Sequence, residues 1–265
     1  MKLGLSVGYS ERDMDIPFDV ILEAERLGFD SVWTAEAWGS DAVTPLAWIG
    51  AKTSRIKLGV GIMQVPARTP AMTAMTAMTL DALSGGRFIL GLGPSGPQVI
   101  EGWHGVPYQP SLTRLKEHIQ IVRKILRRED KLSHDGRCYQ LPFNGIGSSG
   151  QGVALKSILH GRSGMKIYTA AMTPVGVEAA AEVADGFMPI WCDPERFDIF
   201  DNSIERGLAK RDIDLARRDF DILPSVPVNM GDDLQSCLNA FKPELALYIG
   251  GMGSRKKKLL QRSCM

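Results

Sequence analysis

The sequence predicts an α/β fold of the TIM, or (β/α)8, barrel type, and three observations lead there. A strand-then-helix pattern repeats seven times along the chain. The strand candidates are short, apolar and rich in Gly, Val and Ile, as parallel strands buried on both faces should be. A length of 265 residues suits one barrel better than an open doubly wound sheet, although one to two smaller domains would also fit. Ligands of such barrels sit at the strand C-termini, so the exits of strands two to five are the places to look.

The clearest unit lies within residues 55–105. Lys57 to Val65 is an apolar strand. Thr69-Pro70 then opens a helix, with Thr as N-cap and Pro at the first helical position. Leu80 and Leu83 continue the apolar face of that helix, and Gly85-Gly86 ends it. Arg87 to Leu92 is the next strand, leaving through Gly91-Leu-Gly-Pro-Ser-Gly96. Before this unit, Lys2 to Val7 reads as strand one. Pro17 to Leu27 is a helix with Val20, Ile21, Ala24 and Leu27 as its stripe, closed by Gly28. Ser31 to Thr34 is strand two, and Thr44 to Thr53 is helix two. After the unit comes helix four, Ser111 to Arg128, with Leu115, Ile119, Val122 and Ile125 on one face.

Residues 131–164 break the rhythm and form an insertion. Asp135-Gly136 between Leu132 and Tyr139 predicts a small hairpin, and residues 144–152 are rich in Gly and Ser. A connection of this length in a compact domain is usually functional or mobile. Regularity resumes with strand five (Lys166 to Ala171), helix five (Pro174 to Ala184) and strand six (Gly186 to Ile190). Helix six (Glu195 to Arg211), strand seven (Phe220 to Val228) and helix seven (Asp232 to Phe241) follow. Leu245 to Ile249 reads equally as an eighth strand or as a continuing helical hairpin.

Composition excludes several function classes. Net charge is +1 with both signs mixed, so no field for a nucleic acid is expected. The opening apolar run is too short for a signal peptide, and no stretch approaches membrane-spanning length. Cys138, Cys192, Cys237 and Cys264 have no CxxC spacing, which fits a reducing cytoplasm. The four histidines are scattered, so no metal site is expected.

Some motifs invite over-reading. Gly91-x-Gly93-x-x-Gly96 and Gly145-x-Gly147-x-x-Gly150 both match the dinucleotide fingerprint. That fingerprint needs a long helix starting at the glycines. The run from Pro97 to Pro107 is too broken for one, and the second match follows no strand. Close backbone approach to a ligand is the better account of Gly91 and Gly93. The triplets Ala71-Met-Thr, Ala74-Met-Thr and Ala77-Met-Thr read as Met and Ala packing on the barrel. Arg255 to Lys258 reads as a solvated tail. Glu36 and Asp41, beside Trp38 at the exit of strand two, are either helix caps or candidate acid–base groups.

Taken together, the motifs resemble the bacterial luciferase-like monooxygenase superfamily. The carriers are the run from Trp33 to Trp48, Arg68-Thr-Pro70, the stretch from Thr79 to Arg87, Leu90 to Gln98 and Glu101-Gly-Trp103. Ala181 to Gly186 and Ala246 to Gly253 extend the match. More narrowly, the chain resembles the branch of coenzyme F420-dependent oxidoreductases.

The resemblance implies an eight-stranded barrel holding F420, or alternatively FMN, and hydride exchange with a small organic substrate. It implies a cis peptide at Gly61-Ile62, followed by Met63-Gln64, supporting the face of the cofactor ring from the end of strand three. Gly93, Pro94, Ser95 and Gly96 would lie along the ring edge and side chain. Met172, Thr173 and Pro174 match the phosphate region, where helix-start N–H groups favour an anion. Glu36 falls where the family places an acidic residue near the cofactor, and it is the candidate catalytic group, with Gln98 as the polar alternative. Relatives with sugar-phosphate activity follow that acid with a histidine; Ala37 stands here, so their acid–base scheme does not carry over.

Family members run on for a further strand and helix. The expectation is therefore a single barrel domain over residues 1–253, lacking the last strand and helix, with a basic tail of no family character over 254–265. A homo-oligomer is expected. Beside the F420-dependent oxidoreductase stand two other readings, an FMN-dependent monooxygenase and an inactive cofactor-binding remnant. The choice of substrate lies in loops that carry no transferable motif.

Overall fold

The computed structural model describes residues 1–250 apart from 11, 191, 212–216 and 248–249. The chain opens with β1 (Gly4–Gly8), α1 (Phe18–Arg26), β2 (Ser31–Thr34) and α2 (Val43–Lys52). Helix α1 turns only Ile21 and Ala24 fully inward. Val20 and Leu27, expected on the same stripe, are exposed, because only the centre of the stripe meets the sheet.

The single strand expected over 57–65 is two. β3 (Lys57–Val60) and β4 (Met63–Gln64) flank a cis peptide between Gly61 and Ile62. The chain then turns through a short 3-10 segment, Val65–Ala67, into α3 (Pro70–Leu83). The Thr69 hydroxyl caps α3 by accepting from Met72 N at 3.2 Å, as its sequence predicts. The packing of α3 corrects two expectations. Ala74, Ala77, Met78 and Leu80 are buried, but Met72, Met75 and Leu83 lie on the solvent side. A three-residue repeat rotates away from the sheet along the helix, so it cannot keep all three methionines inside.

β5 (Phe88–Gly93) is buried at every position. α4 (Pro97–Gly102) and α5 (Ser111–Arg127) follow, with Leu115, Ile119 and Val122 of α5 fully buried. The insertion contains the expected hairpin, β6 (His134–Asp135) with β7 (Gln140–Leu141). Next come β8 (Ile167–Ala170), α6 (Pro174–Val183) and β9 (Gly186–Met188).

The C-terminal part is less regular than its sequence suggests. Helix six is a 3-10 stretch, Pro194–Phe200, leading into α7 (Asp201–Leu208). Strand seven shrinks to β10 (Asp221–Ile222), continued by a lone bridge between Ile190 and Ser225. The breaks at Pro224 and Pro227 explain the shortening, since neither residue carries an N–H for a ladder. Helix seven is α8 (Leu234–Asn239), and a further short helix beyond it, α9 (Lys242–Ala246), carries Pro243 in its first turn. Leu245 and Ala246 are thus helical and not part of an eighth strand. The tail 254–265 lies outside the described residues.

The strands form one parallel sheet in the order β1-β2-β3-β5-β8-β9-β10, with β4 added to β5. Trp33 of β2 and Tyr168 of β8 show that it is strongly curled. They stand three strands apart, which in a flat sheet means about 14 Å, yet their ring centroids are 6.3 Å apart. Among the described residues β1 and β10 pair on one side only. Among the described residues the sheet is therefore a curled trough, with no strand between its first and last.

Period-two alternation sorts the side chains. Val32, Leu58, Val60, Leu90, Leu92 and Ile167 face outward into the core beneath the helices. A second outer core forms around Phe187, α6 and α7. Trp33, Ile89 and Tyr168 face inward and fill the base of the trough, with Met188 and Leu223 packed on them.

Candidate active site

Level with that layer and just above it, two neighbouring strands present glycines: Gly59, in register with Trp33 and Ile89, and Gly61 on the β3 side, and Gly91 and Gly93 on β5. Each is needed where it stands. A Cβ on Gly59 would run into the Trp33 indole, and one on Gly91 into the Val60 carbonyl oxygen. A Cβ on Gly61 would lie 2.6 Å from Met188 Cε, and one on Gly93 would lie 2.9 Å from Ile62 Cδ1. The glycines thus make room for neighbouring side chains at the C-terminal part of the strands: Trp33 lies over Gly59, Met188 over Gly61 and Gly91, and Ile62 over Gly93. A planar tricyclic ring entering the trough would rest on these thin, apolar covering side chains, with the glycines keeping them close to the strands.

The structure brings several expected cofactor residues together here. Gly61 and Ile62 face the trough, and Ile62 lies against Gly93. Gln64 pairs with Gly93 in the β4–β5 ladder. Pro94, Ser95 and Gly96 form the exit of β5; Ser95 adopts a left-handed backbone (φ 56°), and its carbonyl accepts from the Tyr108 hydroxyl at 3.2 Å. Gly96 then caps α4, only six residues long, which removes the dinucleotide-fingerprint reading. Gln98 lies exposed in the first turn of α4.

Met63 and Gln64 differ from the rest. Met63 is fully buried in the outer core. The Gln64 amide is fixed by its surroundings: Nε2 donates to the Ala37 carbonyl at 3.0 Å, and Oε1 lies 2.6 Å from His104 Nε2. Neither side chain is positioned to touch a ring, so these two residues contribute backbone at most.

Glu36 is engaged on every side. One carboxylate oxygen accepts from Gln64 N at 2.7 Å and the other from Ala42 N at 3.1 Å. Arg68 grips both oxygens, its Nη2 at 2.8 Å. The side chains of Glu36 and Arg68 are 7% and 19% exposed, so the pair is largely shielded from water. Glu36 thereby ties the exits of β2 and β4 together. Asp41 resolves as a helix cap, accepting from Val43 N and Thr44 N at 2.8 Å each. Partial burial opposes its charge, yet those N–H groups hold its carboxyl below the ordinary range.

At the start of α6, Met172 and Thr173 are half-buried and Pro174 is exposed. The Thr173 hydroxyl accepts from Gly176 N at 3.1 Å and its carbonyl from Val177 N at 2.9 Å. Pro174 has no N–H, so most of this helix start is already internally satisfied. Two hollows, of about 190 and 350 Å³, lie away from the glycine wall. The larger is bordered by Arg68, Thr69, Arg114 and Tyr139. Among the described residues, no cluster of His, Cys, Asp and Glu could hold a metal ion.

Sequence reasoning missed a second buried polar network, behind the site. His118 of α5 is fully buried between the Thr73 hydroxyl (2.9 Å) and the Tyr139 hydroxyl (3.1 Å). Burial, with Arg68 nearby, pushes its pKa down to about 3. Neighbouring Glu117 gathers the hairpin turn by accepting from the backbone N–H groups of Arg137, Cys138 and Tyr139 at 2.9 to 3.1 Å. Nothing local in the sequence marks either residue. The glycine wall did leave a signal, since Gly59/Gly61 and Gly91/Gly93 alternate with apolar residues at the period of a strand.

A curled parallel sheet of this strand order defines the barrel class, and comparison places the chain within it. Residues 9–263 match the model of the luciferase-like monooxygenase family, and the chain belongs to that family. Its relatives include Rv3520c of Mycobacterium tuberculosis, whose name describes a coenzyme F420-dependent oxidoreductase. That protein is 45% identical over 258 residues, covering 97% of this chain and 74% of the relative. The F420-dependent tetrahydromethanopterin reductase of Methanopyrus kandleri superposes with a TM-score of 0.75 at 24% identity, over 94% of this chain and 72% of that one. An F420-dependent secondary alcohol dehydrogenase, solved with an F420–acetone adduct, gives 0.78 at 18% identity, over 100% and 82%. At those identities the two structures establish the fold, which is the barrel type the sequence predicts.

Proposed function

We propose that this chain is an F420-dependent oxidoreductase that exchanges a hydride between the deazaflavin and a small organic substrate. The observation that carries the reading is the glycine wall of Gly59, Gly61, Gly91 and Gly93. A Cβ at any of them would collide with Trp33, Met188, Ile62 or the Val60 carbonyl, so the glycines fix the shape of the trough at the end of the sheet where this fold binds its ligands. The relative at 45% identity directs the choice of cofactor to F420.

In this reading the backbone of Gly61-Ile62 and the run Gly93 to Gly96 bind and orient the ring. Met172, Thr173 and Pro174 border its charged tail. Bound F420 supplies the two-electron hydride chemistry; the residues supply position and shelter from water. Glu36 is a positioning residue, since its carboxylate already serves Arg68 and two backbone amides. Gln98, on the short helix after β5, remains the candidate polar group toward substrate. The site belongs to one domain spanning 1–253, interrupted by the insertion at 131–164. A cytoplasmic enzyme is the setting proposed, and no described helix is long and apolar enough to cross a membrane.

A homo-oligomer is part of the proposal. The outer face of α3 presents Met72, Met75, Thr79 and Leu83. The helix's sole charge, Asp81, is turned inward onto Arg162. A charge-free helix face of this kind suits contact with a second copy.

Titration of the protein with F420 and with FMN, read by fluorescence quenching, tests the reading. Submicromolar F420 binding with much weaker FMN binding is expected. Equal or reversed affinities would favour the FMN-dependent monooxygenase named by the family, and binding of neither would overturn the cofactor reading.

A further inference from the structure

Met188 ends β9, yet its side chain does not stay there. It crosses the trough to the opposite wall: a Cβ on Gly61 would lie 2.6 Å from its Cε, and one on Gly91 would lie 3.3 Å from its Sδ. Below, it rests on the inward layer of Trp33, Ile89 and Tyr168. Above lie the open strand ends, and the residue is only half-buried. The lower wall at Gly59 is already covered by the Trp33 indole, and Gly93 by Ile62. Met188 therefore covers the middle of the wall, between a rigid aromatic base and the mouth.

We propose that Met188 is the floor of the ring site, the residue on which the cofactor's planar ring rests and which sets how deep that ring can enter. This rests on the cofactor reading given above. A methionine suits the position. Its unbranched, polarisable thioether can flatten against a ring face and still fill the gap above Trp33 and Tyr168. A smaller residue would leave a void beneath the ring. A rigid aromatic residue could not fold flat over Gly61 and Gly91 and would project into the space above them that the ring requires.

Two measurements on the full chain test this. The first is F420 affinity by fluorescence quenching for wild type, Met188→Leu, Met188→Ala and Met188→Phe, each checked for folding by thermal melt. Met188→Leu conserves volume and should bind within about threefold of wild type. Met188→Ala should bind roughly tenfold more weakly, because a floor atom group and its contacts are lost. Met188→Phe should weaken binding at least as much. The second is methionine oxidation by dilute peroxide, followed by mass spectrometry with and without saturating F420. Bound F420 should slow sulfoxide formation at Met188 and leave exposed Met72 and Met75 unchanged.

If wild type does not bind F420, the cofactor reading falls and this inference falls with it. If wild type binds F420 but Met188 oxidises at the same rate free and loaded, Met188 is not the floor, while the cofactor reading stands. Met188 is equally ruled out as the floor if folded Met188→Ala binds as tightly as wild type. Should that variant fail to fold, the protection experiment on wild type decides.

Discussion

Every residue of β2 and β5 is buried, whereas β10 contributes two residues and both are only half-covered. The difference extends to the helices outside. α3 and α5 pack buried side chains from β5 to the hairpin, but α8 and α9 bury none. One flank of the sheet is thus covered on both faces, by helices outside and by Trp33, Ile89 and Tyr168 inside. The other leaves Val226, Val228, Met230 and Leu234 exposed. The glycine wall stands on the covered flank. A backbone surface without side chains has little packing of its own, so it persists only where neighbouring layers hold it flat. The open flank has no such task, and its apolar residues matter for association more than for the site.

The sharpest way to break this comparison is to put a side chain into the wall. In Gly91→Val the new Cβ falls on the Val60 carbonyl oxygen, a backbone atom that cannot move without disturbing the β3–β5 pairing. A loss of about 3 kcal/mol is expected, at the upper end for overpacking, with failure to fold as the extreme. A urea melt within 1 kcal/mol of wild type, on the order of an ordinary surface change, would show that the covered flank is far softer than its packing suggests.

The brace behind the wall should come next. Arg68→Ala strands the shielded Glu36 carboxylate with only backbone donors. Breaking a buried pair from one side costs about 3 kcal/mol, an upper figure here because Arg68 keeps some solvent contact. Glu36→Gln should cost less, since the remaining arginine can turn toward water. Were Glu36 a free acid–base group, removing Arg68 would scarcely move the melt, so the order of the two variants decides its role.

How much of this was legible beforehand depended on where the cause lay. The seven-fold strand–helix alternation, the Thr69 cap and the bounds of β2 and α5 are local properties of sequence, and the structure keeps them. Strands two to six were recognisable because parallel strands covered on both faces are mostly apolar, and strand one, half-covered at best, through its own short apolar run. The shortening of strand seven had its signal in Pro224 and Pro227, which sequence reasoning passed over in favour of the apolar run. The site was half legible. Motif resemblance placed Gly61, Ile62 and Gly93 at the trough. It could not show that Glu36 would meet Arg68, that Met63 would face the outer core, or that Gln64 would be held by Ala37 and His104. Those facts depend on how far the chain turns at Gly61-Ile62. His118 and Met188 were invisible for a stronger reason, since their partners lie 45 residues away or on strands across the trough.

The covered flank also carries the pH dependence. His118 has its folded pKa pushed down to about 3, against about 6.5 in an unfolded chain. The unfolded state therefore binds the proton first as pH falls. The stability that depends on neutral His118 is fully present above pH ~6.5 and declines toward pH ~3, by about 1.4 kcal/mol per pH unit at most. Urea midpoints measured across that range should fall with acid in wild type. They should fall less steeply in His118→Gln, which can still bond Thr73 and Tyr139. Identical slopes would mean that the network opens to water and that the covered flank is not sealed.

The smallest expected change in stability lies on the open flank. Val226, Val228 and Met230 are 70%, 76% and 89% exposed, and their side chains have little burial to lose. A triple variant, Val226→Ser, Val228→Ser and Met230→Ser, should therefore change the unfolding free energy by no more than about 0.5 kcal/mol per site. Its effect should appear in self-association. β1 and β10 each have an unpaired edge among the described residues, and an apolar strip beside a free strand edge is a template for further pairing. Light scattering at rising concentration should show larger species for wild type than for the triple variant, with the same urea midpoint for both. If the midpoint drops sharply instead, these residues pack against something that stabilises the fold. The contrast between the two flanks would then be one of degree only.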